Sequence, residues 1–399
     1  MKQEFFISNR QRFTESLEDG LIIVGAYVAM QRGNDASFKF EQEANFWYLT
    51  GIESPDWWII IDGKSDKSWL VAPEVDDVHN IFDGSLLWND ALNISGVDKV
   101  ITEQEAISLL KDLSEKNESV YTLGQDPGAK YYDFVINPSQ ENTQKRLSKL
   151  FKNVKDCRNE IAKLRAIKQP EEIEAMKKAI DLTVKAFEDI KTKLPKLKYE
   201  YEVEAEFTYN FRKNGAKGHA YEPIVADGKN ACTLHYIANN SALKSESLLL
   251  IDIGAKVGGY AADVTRTYSI GNPTTRQIEV HGAVEKAQKD ILSLIKPGLS
   301  VKEYLEKVDE IMKSAIDSLA LIKKPEDYRR YFPHAVSHGL GIDVHDSLGQ
   351  PSEFLPGMVI TVEPGIYIPE EEIGVRIEDD ILITDNGFIN LSGSLSTSL

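Results

Sequence analysis

The stretch LLLIDIGAKVGGYAADVTRTYSI, residues 248–270, decides how the chain is read. An apolar run ends at Asp252, two glycines at 258–259 supply a turn, and a second strand-like run carries Asp263. Apolar runs bounded by glycine read as strands. Residues 247–253 and 259–270 are therefore expected to form a hairpin that brings the two aspartates together. Two further strands are expected, at 358–363 with Glu363 just before Pro-Gly, and at 374–384 with Glu378. One acid at a strand end usually bonds local backbone, and a lone glutamate before Pro-Gly is usually solvated. Four acids in apolar strands need a common explanation, because an isolated buried carboxylate is costly unless it is paired, neutralised or bound to metal. With His338, in HAVSHGLGIDVHD (334–346), they make an oxygen-rich site. Hard oxygen ligands suit Mn2+ or Mg2+, and an imidazole tolerates Co2+ or Zn2+.

Upstream, IAKLRAIKQPEEIEAMKKAIDLTVKAFEDIKTKL (161–194) holds a clear helix start. Pro170 suits a first helical turn, and Glu171 and Glu172 suit the positive end of the helix dipole. Ile173, Met176, Ala179 and Ile180 recur at three and four residues and give one apolar face. Helices are also expected at 275–295 and 301–319. A chain of 399 residues exceeds one ordinary domain. All five tryptophans lie in the first 90 residues and six of the seven histidines lie after 218. We therefore expect an N-terminal mixed α/β domain over 1–160 and a second domain over 161–399. In the first, strands are expected at 21–28, 58–62 and 69–72, with a helix at 103–113, and the aromatic segments NFWYL and DWWII are read as core.

Composition narrows the partners. A net charge of -17 repels phosphate backbones and anionic lipid, so nucleic acid is excluded as a partner class. The apolar run 21–30 is about half of the ~20 residues a spanning helix needs, so no membrane association is expected. Two cysteines without a CxxC spacing, and no signal-peptide pattern, point to a cytoplasmic protein. The glycines of 252–259 lack the GxGxxG spacing of a dinucleotide site.

Taken in order, FEQEANFWYLTG (40–51), the paired aspartates, HAVSHGLGIDVHD, TVEPGIY (361–367) and GVRIEDD (374–380) resemble the metallopeptidase family that contains aminopeptidase P, prolidase and methionine aminopeptidase. The resemblance covers essentially the whole chain. It implies an α/β architecture, with a C-terminal pita-bread domain of helices around a curved antiparallel sheet. It implies a ligand set of Asp252, Asp263, His338, Glu363 and Glu378 for two divalent metal ions, Mn2+ first and Co2+ or Zn2+ as alternatives. Glu363 would also move the proton. His235 and His345 would bond the reacting carbonyl and position the proline side. His334 would line the pocket, Arg376 would pair with ligand carboxylates, and Tyr367 would bond a ligand or the substrate. The implied reaction is hydrolysis of the Xaa-Pro bond in peptides with proline at position 2. Alternatives are a prolidase restricted to dipeptides and, remotely, a non-catalytic peptide-binding protein. The family also implies a homodimer or homotetramer. Here only eight residues separate Tyr367 from Arg376, where aminopeptidase P and the larger prolidases generally carry a longer insertion.

Overall fold

The structure, a computed structural model, describes residues 1–125, 128, 133–324 and 327–399. The chain divides into two compact units, Met1–Leu164 and Arg165–Leu399.

The first unit is built on a six-stranded mixed sheet of order β4-β3-β2-β1-β5-β6. Its strands are β1 (Leu21–Gly25), β2 (Trp58–Asp62), β3 (Lys67–Val71), β4 (Lys99–Ile101), β5 (Ser119–Thr122) and β6 (Asn153–Asp156). β1 pairs antiparallel with β2 and parallel with β5. The helix Glu103–Lys116 starts on a capping box between Thr102 and Glu105, and its buried Ala106, Leu110 and Leu113 pack on the sheet core beside Ile23, Ile60 and Val120.

In the second unit every strand pairing is antiparallel among the described residues. Its first long helix, Pro170–Lys193, has proline in its first turn and a capping box from Gln169 and Glu172. Met176, Ala179, Ile180, Val184 and Phe187 face inward, as their spacing requires. β8 (Ile224–Asp227), β9 (Ser247–Asp252) and β12 (Thr265–Ile270) form one sheet of order β12-β9-β8. β13 (Val359–Val362), β16 (Asp379–Thr384) and β17 (Gly387–Asn390) form a second, and β14 (Gly365–Ile368) pairs with β15 (Ile373–Arg376). Between β9 and β12 lie two short strands, β10 (Ala255–Val257) and β11 (Tyr260–Ala261), which form a sheet with β7 (Gly218–His219). The helices Thr275–Leu292 and Val301–Ser318 pack Val280, Val284, Tyr304, Val308 and Met312 into one core with Ile360, Ile366, Val375 and Ile381.

Two expectations need correction. Residues 259–270 are not one strand, because the chain leaves the ladder between Ala261 and Thr265, with Asp263 in the gap. Residues 374–384 are likewise two strands with Glu378 at the break. The unbroken apolar pattern hides both breaks, since buried residues line both sides of each. At each break the backbone bonds across sheets: Glu378 N donates to Thr265 O at 3.1 Å, and Asp263 N to Asp380 Oδ2 at 3.2 Å.

Candidate metal centre

Asp252 ends β9 and lies opposite Thr265 of β12 and Ile224 of β8. Asp263 and Glu378 sit at the two strand breaks. Glu363 follows β13 directly, and its N–H donates to Val336 O at 2.9 Å. That bond lays β13 against the segment carrying His338. Asp252, Asp263 and Glu378 are buried, and Glu363 and His338 are nearly so.

One donor atom each from Asp263, His338 and Glu378 lies within 4.8 Å of the other two. His338 Nε2 is 3.4 Å from Asp263 Oδ2 and 3.3 Å from Glu363 Oε1. Its other nitrogen, Nδ1, lies 3.0 Å from the Gly339 carbonyl, which can only accept, so Nδ1 carries a proton and Nε2 faces the carboxylates. Asp252 joins through Tyr221, whose hydroxyl is 2.5 Å from Asp252 Oδ1 and 2.7 Å from Asp263 Oδ1.

Arg376 braces the far side. Its Nη2 donates to Asp252 Oδ2 at 2.5 Å, its Nη1 to Tyr367 Oη at 2.9 Å and its Nε to Thr265 Oγ1 at 3.2 Å. Thr265 in turn donates to Glu378 Oε2 at 2.6 Å. His334 ends this chain, with Nε2 2.8 Å from the Tyr367 hydroxyl and Nδ1 2.7 Å from Ala335 O. The carbonyl again requires the proton on Nδ1, so Nε2 accepts from Tyr367. His345 stands edge-on to His338 with ring centroids 4.4 Å apart. His235 is exposed, and its charge bears on both His334 and His345. The remaining histidines make other contacts: His219 bonds Thr208, His281 is buried on its helix, and His79 pairs with Asp76.

The electrostatics mark a site built for cations. Burial raises Asp263, pushes Glu363 up to about 7 and drives Glu378 well above the usual carboxylate range, because neighbouring acids cannot all ionise without a counter-charge. Burial opposes a charge on His338, but Asp263 and Glu363 outweigh it and lift that histidine to about 9. Burial and Arg376 lower His334 to about 3, and burial with His338 lowers His345 to about 4. Both are therefore neutral at physiological pH. Asp380, two residues past Glu378, is fully buried, its Oδ1 lacks a hydrogen-bond partner among the described residues, and burial keeps it far above the carboxylate range. The donor set of carboxylates and one imidazole fits divalent cations, and only cations there would let the acids ionise together.

Sequence reading missed Tyr221, Thr265 and Asp380. Asp380 stood within the quoted GVRIEDD, but Tyr221 and Thr265 carry no motif or periodicity of their own.

A buried, carboxylate-rich cluster on an antiparallel scaffold has the chemistry of a divalent-cation centre. The comparisons agree and are more specific. Residues 174–385 match the model of metallopeptidase family M24, and residues 6–121 match the aminopeptidase P N-terminal domain. The chain belongs to metallopeptidase family M24, whose members work with divalent metal ions. It is 32% identical to the Xaa-Pro aminopeptidase of Escherichia coli, over 99% of this chain and 96% of that protein. It is also 32% identical to the Xaa-Pro dipeptidase of Pyrococcus furiosus, over 86% of this chain and 89% of the relative. The solved structure of E. coli aminopeptidase P in its low-pH form superposes with a TM-score of 0.87 at 30% identity, covering 99% of this chain and 96% of that one. Among the described residues no helix is long and apolar enough to cross a membrane.

Proposed function

We propose that this chain is an Xaa-Pro aminopeptidase, which removes the N-terminal residue from peptides with proline in second position. The observation that carries the reading is the convergence of Asp252, Asp263, His338, Glu363 and Glu378 on one buried centre, in a chain aligned end to end with such an enzyme. Two divalent ions, Mn2+ by preference and Co2+ or Zn2+ as alternatives, would supply Lewis acidity and a water of lowered pKa.

The remaining chemistry belongs to the side chains. Glu363, 3.3 Å from His338, takes the proton of the attacking water and returns it to the proline nitrogen, which has none of its own. The exposed His345 and His235 donate hydrogen bonds to the carbonyl oxygen as negative charge develops there. His334, kept neutral by burial and Arg376 and bonded to the Tyr367 hydroxyl, lines the pocket beside them. Arg376 pairs with Asp252 and, through Thr265, orients Glu378.

The protein is read as cytoplasmic and as a homodimer or homotetramer. Support for assembly comes from the first unit, where the helix Asp77–Asp83 buries no residue and exposes Val78, Ile81 and Phe82 beside exposed Leu87 and Trp88. The decisive test sets Ala-Pro beside Ala-Pro-Ala with Mn2+-loaded protein. Cleavage of the tripeptide supports the aminopeptidase reading. Cleavage of the dipeptide alone makes the protein a prolidase, and cleavage of neither, with metal bound, removes the proposal.

A further inference from the structure

His345 reaches solvent along part of its surface while its ring packs against His338, and both sides of it are anchored from beneath. Asp346 is buried, and its Oδ1 accepts a hydrogen bond from Arg165 Nη2 at 2.8 Å. The same nitrogen reaches Asp343 Oδ2 at 3.0 Å. One guanidinium therefore grips the loop two residues before and one residue after His345. The second oxygen, Asp346 Oδ2, accepts from Ile342 N at 3.3 Å and lies 3.9 Å from Lys168 Nζ. Lys168 is buried, and among the described residues its ammonium has no hydrogen-bond partner, with Asp346 as its counter-charge.

The backbone closes tightly round this carboxylate. Asp346 N donates to Gly339 O at 2.8 Å, and Ala261 N donates to Gly341 O at 2.8 Å, two residues before Asp263. A side chain on Gly341 would collide with the Asp346 carboxylate, so only glycine lets the loop pass. Glu172 extends the cluster, accepting from the Tyr260 hydroxyl at 2.8 Å. Buried charge of this density is a poor way to gain stability, because well-packed apolar residues often do as well or better. What it does supply is a single loop geometry, since each charge fits one partner arrangement.

We propose that Arg165 and Asp346 are positioning residues that hold the 339–346 loop so that His345 stands at a fixed place beside His338. The proposal rests on the reading of His345 as a hydrogen-bond donor to the substrate. The experiment compares full-length, Mn2+-loaded parent protein with Arg165→Lys and Asp346→Asn. Lysine keeps the charge but cannot span two carboxylates as the planar guanidinium does, and asparagine keeps the shape if the first variant folds poorly. Hydrogen exchange over 339–346 should quicken about tenfold or more at Ile342 and Asp346, with bound Mn2+ unchanged. Unchanged exchange in both variants overturns the proposal. Kinetically, Arg165→Lys should lower kcat about tenfold in the parent and have no further effect in a His345→Ala background. An equal loss in both backgrounds means the arginine does not act through His345 and also overturns it. If the loop quickens as expected but the parent cleaves no Xaa-Pro peptide, the anchoring stands and the assignment of the reaction falls instead.

Discussion

The Tyr221 hydroxyl sits between two carboxylates, 2.5 Å from Asp252 Oδ1 and 2.7 Å from Asp263 Oδ1. A phenol carries one proton and cannot donate to both at once. Burial and the charges of Asp252 and Asp263 keep that proton in place by raising Tyr221 well above its ordinary value. The tyrosine thus fixes the spacing of two candidate ligands carried on the facing arms of a hairpin. Tyr221→Phe removes the bond and keeps the ring. We expect metal affinity or turnover to fall ~10–100-fold, the range typical of partners that orient metal ligands. Calorimetric titration with Mn2+ and steady-state kinetics measure both. Parent-like values would reduce Tyr221 to packing.

Metal binding should release protons. At pH 7, Glu363 (about 7) is half protonated, Glu378 and Asp263 are raised, and His338 (about 9) is largely protonated in the metal-free protein. Each must lose its proton to ligate a cation, so affinity must rise with pH across 6–8. Mn2+ titrations in two buffers of different ionisation enthalpy give the number released. EDTA should abolish turnover and Mn2+ restore it, whereas Asp263→Ala should lose metal and activity together. Proton uptake on binding, or turnover that survives the chelator, contradicts this account of the centre.

Much of this architecture was legible from the chain, for identifiable reasons. The helix from Pro170 announced itself through proline, two acids and a 3.6-residue apolar stripe. The hairpin of Asp252 and Asp263 followed from a Gly-Gly turn between apolar runs. The strand breaks at Asp263 and Glu378 were not legible, because buried residues on both sides of each break imitate a continuous strand. Nor were the partners that brace the centre. Tyr221 meets Asp252 across 31 residues, Arg376 meets it across 124, and Arg165 meets Asp346 across 181. Such pairs are set by how sheets stack, and local pattern carries no trace of them. Arg376 was named through a family resemblance, whereas Tyr221 and Arg165 had no such aid.

The back of the centre carries its own buried charge. Arg266 Nη2 donates to Asp379 Oδ1 at 2.7 Å, and Asp379 also accepts from Gln288, Asn390 and Ser392. Arg266 further donates to Glu378 O at 2.7 Å and Leu395 O at 2.9 Å, tying the last strand and the tail to the ligand-bearing break. Removing one partner strands the other without solvent. Asp379→Ala should cost ~3–5 kcal/mol in urea unfolding. The exposed Arg329–Asp309 pair, at 3.1 Å, is the contrast. Screened by solvent, Arg329→Ala should cost no more than ~1 kcal/mol. Equal losses would mean that burial is not what gives the Asp379 network its weight.

His345 offers the sharpest separation of binding from turnover. Burial first, then the nearby charges of His338 and His235, lower it to about 4, so it is neutral throughout pH 5–9 and can donate only a single N–H. It lies beside the candidate ligands but holds none of the carboxylates itself, with its ring edge-on to His338 at 4.4 Å. His345→Ala should therefore leave bound Mn2+ at the parent level while kcat falls ~100–1,000-fold, the loss typical of one donor to a developing oxyanion. The acid limb of the pH–rate profile should stay where it is, because a histidine that stays neutral across this range adds no titration to it. Metal analysis of the dialysed variant and kcat from pH 5 to 9 decide the matter. A variant that loses metal would make His345 part of the cation site, and one that keeps full turnover would return it to a structural role.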